Sequence, residues 1–193
     1  MNKEFWSDVL RSGAIIGVVM SLSHIIEHYM LAFSDADLLQ TALVYCVEWL
    51  LACVVFIVLL VYFTNRRAKA KPSELGATYS YLLSFIILIS MLSGVLVGVA
   101  DTLFISAMGY DNYILGFVDR IDQLGQVYTE MGVPTENMSL FYDLTTELRQ
   151  SEQPSIFVTV FNQLQIYAFA GCIPGFIIAG IISSRHRRKA MQK

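Results

Sequence analysis

Residues Ser23–Met30 read SHIIEHYM. His24 and His28 stand four apart, with Glu27 between them. On a helix, positions i and i+4 share a face, so both imidazoles can reach one ion. The pattern H-x-x-E-H also matches a zinc-peptidase signature letter for letter, in which the glutamate activates a metal-bound water. Three chemistries are open to such a stretch: a metal site, a proton-handling site, or polar side chains that fix the register of packed helices.

Other polar residues fall in similar apolar surroundings. Glu48 lies in a second apolar block and Asp101 in a third, and a fourth block contributes Asn162, Gln163 and Gln165. Counted inward from the ends of their blocks, at about 1.5 Å per helical residue, His24, Glu27, His28, Glu48, Asp101 and Gln165 lie roughly 8–15 Å below one membrane surface. They form one polar intramembrane layer contributed by four helices. A lone Asp at the centre of a span costs about 2.5–3.5 kcal/mol on insertion scales. These carboxylates are therefore expected to be paired, protonated, hydrated or metal-bound. If a divalent metal such as zinc is held, His24 and His28 supply two ligands, and Glu48 or Asp101 a third. That leaves an open position for water and makes Glu27 the general base. Two histidines on one helix face do not suit a haem between helices, and the third, His186, lies in the C-terminal tail.

The elements that position this layer are plain from composition. Of 193 residues, 55% are hydrophobic and 15% charged, with a mean hydropathy of +0.57. Soluble domains carry about 25% charged residues. The apolar residues concentrate at 13–33, 38–63, 79–108 and 156–183, each block long enough to cross about 30 Å of hydrocarbon as a helix. The in–out alternation of β-barrel strands is missing. The expected fold class is all-α: one polytopic domain over residues 1–193, a four-transmembrane-helix bundle with an amphipathic extracytoplasmic segment at 109–153. The first block is full length, contains His and Glu and precedes no A-x-A site, so it reads as a retained span. Cys46, Cys53 and Cys172 form no CxxC pair and read as small packing residues.

Eleven of thirteen Lys and Arg fall at the N-terminus (Lys3, Arg11), in the NRRAKAK stretch after the second block and in the SSRHRRKAMQK tail. An even number of spans puts all three on one side, which the positive-inside rule makes the cytoplasm. The 109–153 segment has eight acids and two bases. In it, Ile114, Phe117, Val118, Ile121, Leu124 and Tyr128 recur at helical spacing, as do Leu140, Phe141, Leu144 and Leu148 after the Gly132/Pro134 break. Two amphipathic helices on the bilayer surface, or over the mouth of the spans, are expected.

Small residues repeat every four positions: Gly13, Gly17 and Ser21; Ser90, Gly94, Gly98, Thr102 and Ser106; Gly171, Gly175 and Ala179. Such stripes let helices approach closely in lipid and predict a compact bundle or a tight oligomer. Pro174 should bend the last span. A faint echo of GVVMSLSHI (from Gly17) in GVLVGVADT (from Gly94) sets His24 opposite Asp101 and suggests a duplicated two-helix unit.

The chain resembles the uncharacterised four-span inner-membrane protein family of Bacteroidetes, a domain of unknown function. The likeness rests on FWSDVLRSGAIIGVVM, NRRAKAKPSELGATYSYLLSF, GVADTLFISAMGYDNYI, the helical outer segment and the glycine-rich last span with its basic tail. It implies an inner-membrane location and the four-span fold, and no activity. HIIEH is not a feature of that family. The leading expectation is a non-enzymatic membrane protein, in contact with the lipid bilayer, that binds a partner, ion or small solute through the polar layer and acidic cap. A homo-oligomer or a membrane-protein partner fits this reading, and nucleic acid does not. The alternative is a metal-dependent intramembrane hydrolase built on His24, Glu27 and His28.

Overall fold

The computed structural model describes residues 3–34, 37–70, 77–132 and 139–191. Pro134, Lys71 and Lys193, and the side chains of Leu140 and Lys189, lie outside the described residues. Among the described residues there are six α-helices and no strand: α1 Lys3–Phe33, α2 Leu38–Ala70, α3 Tyr79–Met108, α4 Tyr110–Glu130, α5 Ser139–Gln150 and α6 Ile156–Met191. Four of them (α1, α2, α3 and α6) are long and apolar enough to cross a membrane. Such helices satisfy their backbone groups internally, which hydrocarbon requires.

Helix α3 is the central element, with α1 on one side and α6 on the other. Its two faces use different small residues. Towards α1, the Ser93 hydroxyl donates to the Gly13 carbonyl at 3.1 Å, and Leu92 and Leu96 of α3 close over Gly13 and Gly17. Towards α6, Gly94 and Gly98 meet the backbone at Gln163–Leu164 and Thr159–Val160, while Gly171 receives Ser90. Contact at backbone distance is the reason for glycine here: any Cβ would occupy the neighbouring helix. Leu82, Phe85, Ile86, Ile89 and Val97 of α3 are fully buried between its partners. Helix α2 is the outlying member. It packs on α1 and α6 and turns residues such as Leu43, Val47 and Val54 outward. In a bilayer that surface faces lipid.

The long helices extend past the apolar blocks. Helix α1 begins at Lys3, and α2 continues through the basic stretch to Ala70. Arg67, which on sequence grounds is a loop cation, is 6% exposed. Its Nη1 lies 2.6 Å from Asp8 Oδ2 and its Nε donates to the Tyr81 hydroxyl at 2.7 Å. The guanidinium also lies 5.7 Å from the ring centres of Phe5 and Tyr81, which joins α1, α2 and α3 at the end away from α4. Helix α6 continues through Pro174.

At the opposite end, Gly109 has φ +86°, a value that favours glycine, and turns the chain directly from α3 into α4. Helix α4 packs against the end of α1, with Val118 fully buried and Gly116 against the backbone of Ala32. Arg120 donates through Nε to the Leu31 carbonyl at 3.3 Å and through Nη2 to the Ser34 carbonyl. A cation at the last carbonyls of α1 is the favoured sign for a helix C-terminus. Helix α5 packs on α4, with Tyr128 and Phe141 in ring contact.

The close approach makes a direct prediction. A Cβ on Gly94 would sit 2.5 Å from the Gln163 carbonyl oxygen, and one on Gly98 2.6 Å from Val160 Cα, whereas one on Gly180 would meet nothing nearer than 3.9 Å. Gly94→Ala and Gly98→Ala should each destabilise the protein by about 1–3 kcal/mol, and Gly180→Ala should stay within about 0.5 kcal/mol. Thermal unfolding in one detergent compares the three.

Candidate metal centre

The face that α1 turns towards α3 continues from Gly13, Gly17 and Ser21 to His24 and His28, as helical spacing requires. Asp101 of α3 stands opposite and is 2% exposed. His24 Nδ1 lies 3.5 Å from Asp101 Oδ2, and His28 Nε2 lies 3.6 Å from Asp101 Oδ1. One ligand atom from each of the three residues falls within 4.8 Å of the others.

Two further helices hold this group. Gln163 of α6 donates its Nε2 hydrogen to Asp101 Oδ2 at 2.9 Å. Tyr113 of α4 places its hydroxyl 2.7 Å from His28 Nδ1, and the His28 tautomer decides which atom donates. Burial, with the negative charges of Asp101 and Glu27 adding to it, raises the Tyr113 phenol far above its ordinary pKa, so it stays protonated at neutral pH. Phe104 stacks on His28 with ring centres 6.4 Å apart, and Tyr167 of α6 closes the side next to His24 at 6.1 Å.

Two facing atoms lack partners. His28 Nε2 and Asp101 Oδ1 are buried without a hydrogen bond. Their separation exceeds the 2.7–3.2 Å of a hydrogen bond. When Nδ1–H donates to Tyr113, the Nε2 lone pair points at a carboxylate oxygen, and a cation between them is needed to offset the repulsion. Tetrahedral zinc with bonds of about 2.0–2.1 Å separates adjacent ligand atoms by about 3.3–3.4 Å. The 3.5 and 3.6 Å contacts end on different carboxylate oxygens, and with one ligand atom per residue the three atoms lie within 4.8 Å of one another, so a zinc ion would draw the ligands closer. A proton on either imidazole also supplies positive charge, since both separations lie within ion-pair range. Three protein ligands leave at least one coordination position open.

No family model, curated protein or solved structure matches this chain. The reading of the centre therefore rests on its own geometry.

The remaining residues of the polar layer lie elsewhere. Glu48 accepts a hydrogen bond from Ser23 rather than joining His24 and His28. Glu27 is half-buried and lines a cleft between α1, α2 and α6. Gln165 is exposed on α6, and so is Asn162. The glutamine that reaches Asp101 is Gln163, because two helical residues turn a side chain by about 200°. Tyr113 was not a sequence candidate. It lies in the apolar repeat of α4, and only the chain reversal at Gly109 brings it over His28.

Gln163 and Gln165 give a matched pair for testing this. Gln163→Leu removes the hydrogen bond to a buried carboxylate and should cost about 1–3 kcal/mol. Gln165→Leu should change stability by less than about 0.5 kcal/mol. Chemical or thermal unfolding in detergent distinguishes the two.

Proposed function

We propose that this integral membrane protein binds a divalent transition metal of the zinc class through His24, His28 and Asp101, with Gln163 and Tyr113 orienting the ligands. The observation that carries the reading is a pair of buried atoms without a hydrogen bond, His28 Nε2 and Asp101 Oδ1, facing one another at 3.6 Å. Outer groups of the Tyr113 and Gln163 kind fix the tautomer and ring orientation of a ligand and raise its basicity. The donor set, two imidazoles and one carboxylate, suits zinc, iron or manganese better than the hard all-oxygen cations.

The wider setting belongs to the same proposal. The four long helices form one bundle in the bacterial inner membrane. Basic residues at Lys3, Arg11 and Arg66 to Lys69 and in the tail from Arg185 favour cytoplasmic termini. Helices α4 and α5 then cover the extracytoplasmic mouth, and the metal lies in the outer half of the membrane. The resemblance to the Bacteroidetes four-span family agrees with this placement.

A second reading, the metal-dependent intramembrane hydrolase, is favoured by one observation: Glu27 lines the cleft beside His24. In that reading Glu27→Gln keeps the metal and removes the base.

The test is metal content. Protein purified in mild detergent, without chelator or a histidine tag, should carry about one equivalent of metal per chain by mass spectrometry, and His24→Ala/His28→Ala should carry none. Tyr113→Phe should retain the site with about 10–100-fold weaker affinity. Equal metal in wild type and the double variant, or none in either, overturns the reading.

A further inference from the structure

A cleft reaches one residue of the proposed metal centre, His24, from the side. It has a volume of about 200 Å³, runs between α1, α2 and α6 and also reaches Glu27. Its walls change character with depth. Near the α4 end Ser23, His24 and Glu27 of α1 stand against Trp49, Ile166 and Tyr167, and further along the lining is Met20, Phe56 and Ala170. Helices α1 and α2 agree on this direction. Glu27 and Met20 lie six and thirteen residues before the end of α1 at Phe33; Trp49 and Phe56 lie eleven and eighteen after the start of α2 at Leu38. A cleft with its polar end near one membrane face and its apolar end near the middle has the polarity of a lipid in the adjacent leaflet.

Approach from water at the same end is crossed by α4. Tyr113 sits on His28, and Arg120 fastens the helix to the carbonyls of Leu31 and Ser34. The cleft lies on the lateral surface of membrane-spanning helices, so hydrocarbon is what it meets at this depth. At 200 Å³ it is smaller than the 300–1,000 Å³ typical of drug-sized sites, which suits one chain rather than a two-chain lipid. Glu27 at the polar end, with Glu48 bound to the neighbouring Ser23, disfavours an anionic head group.

We propose that this cleft is a lateral binding site for a neutral single-chain lipid. Its tail lies against Met20, Phe56 and Ala170, and its hydroxyl- or carbonyl-bearing end meets Glu27 and His24 beside the metal centre. The inference rests on the metal reading and deepens it by naming the class of ligand that reaches the centre. Glu27 accepts a hydrogen bond from a lipid hydroxyl or amide.

Trp49 lines the cleft and is one of two tryptophans in the chain, so Trp6→Phe leaves a single reporter. The protein would be placed in nanodiscs containing increasing mole fractions of a monoacylglycerol brominated on its chain. Trp49 quenching should saturate at low mole fraction, above the gradual quenching that any surrounding lipid produces. Ala170→Phe, or Ala52→Leu as a second filling variant, should remove the saturable part and leave metal content unchanged. A brominated lysophospholipid of net negative charge should bind about tenfold more weakly. Quenching that only tracks mole fraction and is the same in the filling variants overturns the proposal, whether bulk lipid or a helix of a second copy covers the cleft. Equal binding of the anionic lipid overturns the assignment of a neutral head group. Metal assays on the same samples separate the two readings. Saturable quenching without metal keeps the lipid site and sinks the metal centre; metal without saturable quenching does the reverse.

Discussion

A carboxylate buried among apolar helices has to be neutralised, and Asp101 imposes that condition on this protein. It is 2% exposed in the most deeply packed helix of the structure. An unpaired ion in such a place is costly, and burial is tolerated only with opposite charge and hydrogen bonds arranged around it. The surrounding helices meet the requirement in concert: α1 brings two imidazoles, α6 brings an amide, and α4 brings a phenol that holds one of the imidazoles. His28 Nε2 and Asp101 Oδ1 face one another without a hydrogen bond, and either a proton or a cation there supplies the opposite charge.

Close helix contact makes this arrangement attainable. Gly13 and Gly17 bring α1 against α3, and Gly94 and Gly98 bring α3 against the backbone of α6. The polar residues lie one or two turns further along the same stripes. Small residues thus set the interhelical distances that place His24 and Asp101 at 3.5 Å and Gln163 within hydrogen-bond reach. In lipid, where burial of apolar surface gives little gain, such van der Waals contact and polar pairing are the main sources of helix association. The site and the fold therefore draw on the same interfaces.

The asymmetry around the centre bears on function. Helix α4 is fastened to the end of α1 by Tyr113 and Arg120, while α2 stands away and exposes an apolar flank. The cleft between α1, α2 and α6 follows from that looser member. Helix α4 thus covers His28 at one end, while the cleft reaches His24 from the side. The Arg67 cluster with Asp8, Tyr81 and Phe5 joins three helices at the other end.

The amino-acid order by itself determined the helical class, the four long apolar segments and the two amphipathic helices between the third and fourth. These are periodic or compositional properties, carried by neighbours along the chain: an apolar run of span length, a glycine every fourth residue, histidines four apart. The tertiary structure decided which partners meet. Two carboxylates of similar depth, Glu48 and Asp101, were candidates for the third ligand, yet Asp101 faces the histidines while Glu48 pairs with Ser23, because depth along a helix says nothing of how that helix is rotated against its neighbours. Gln163 rather than Gln165 reaches the carboxylate for the same reason, since rotation by two residues turns one inward and the other out. Tyr113 and Arg120 belong to a segment with no register relative to α1 until Gly109 reverses the chain. Arg67 turned inward because Asp8 lay within reach on an extension of α1 that carries no apolar signal. Contacts between residues distant in sequence depend on interhelical rotation and close approach, and only packing sets those.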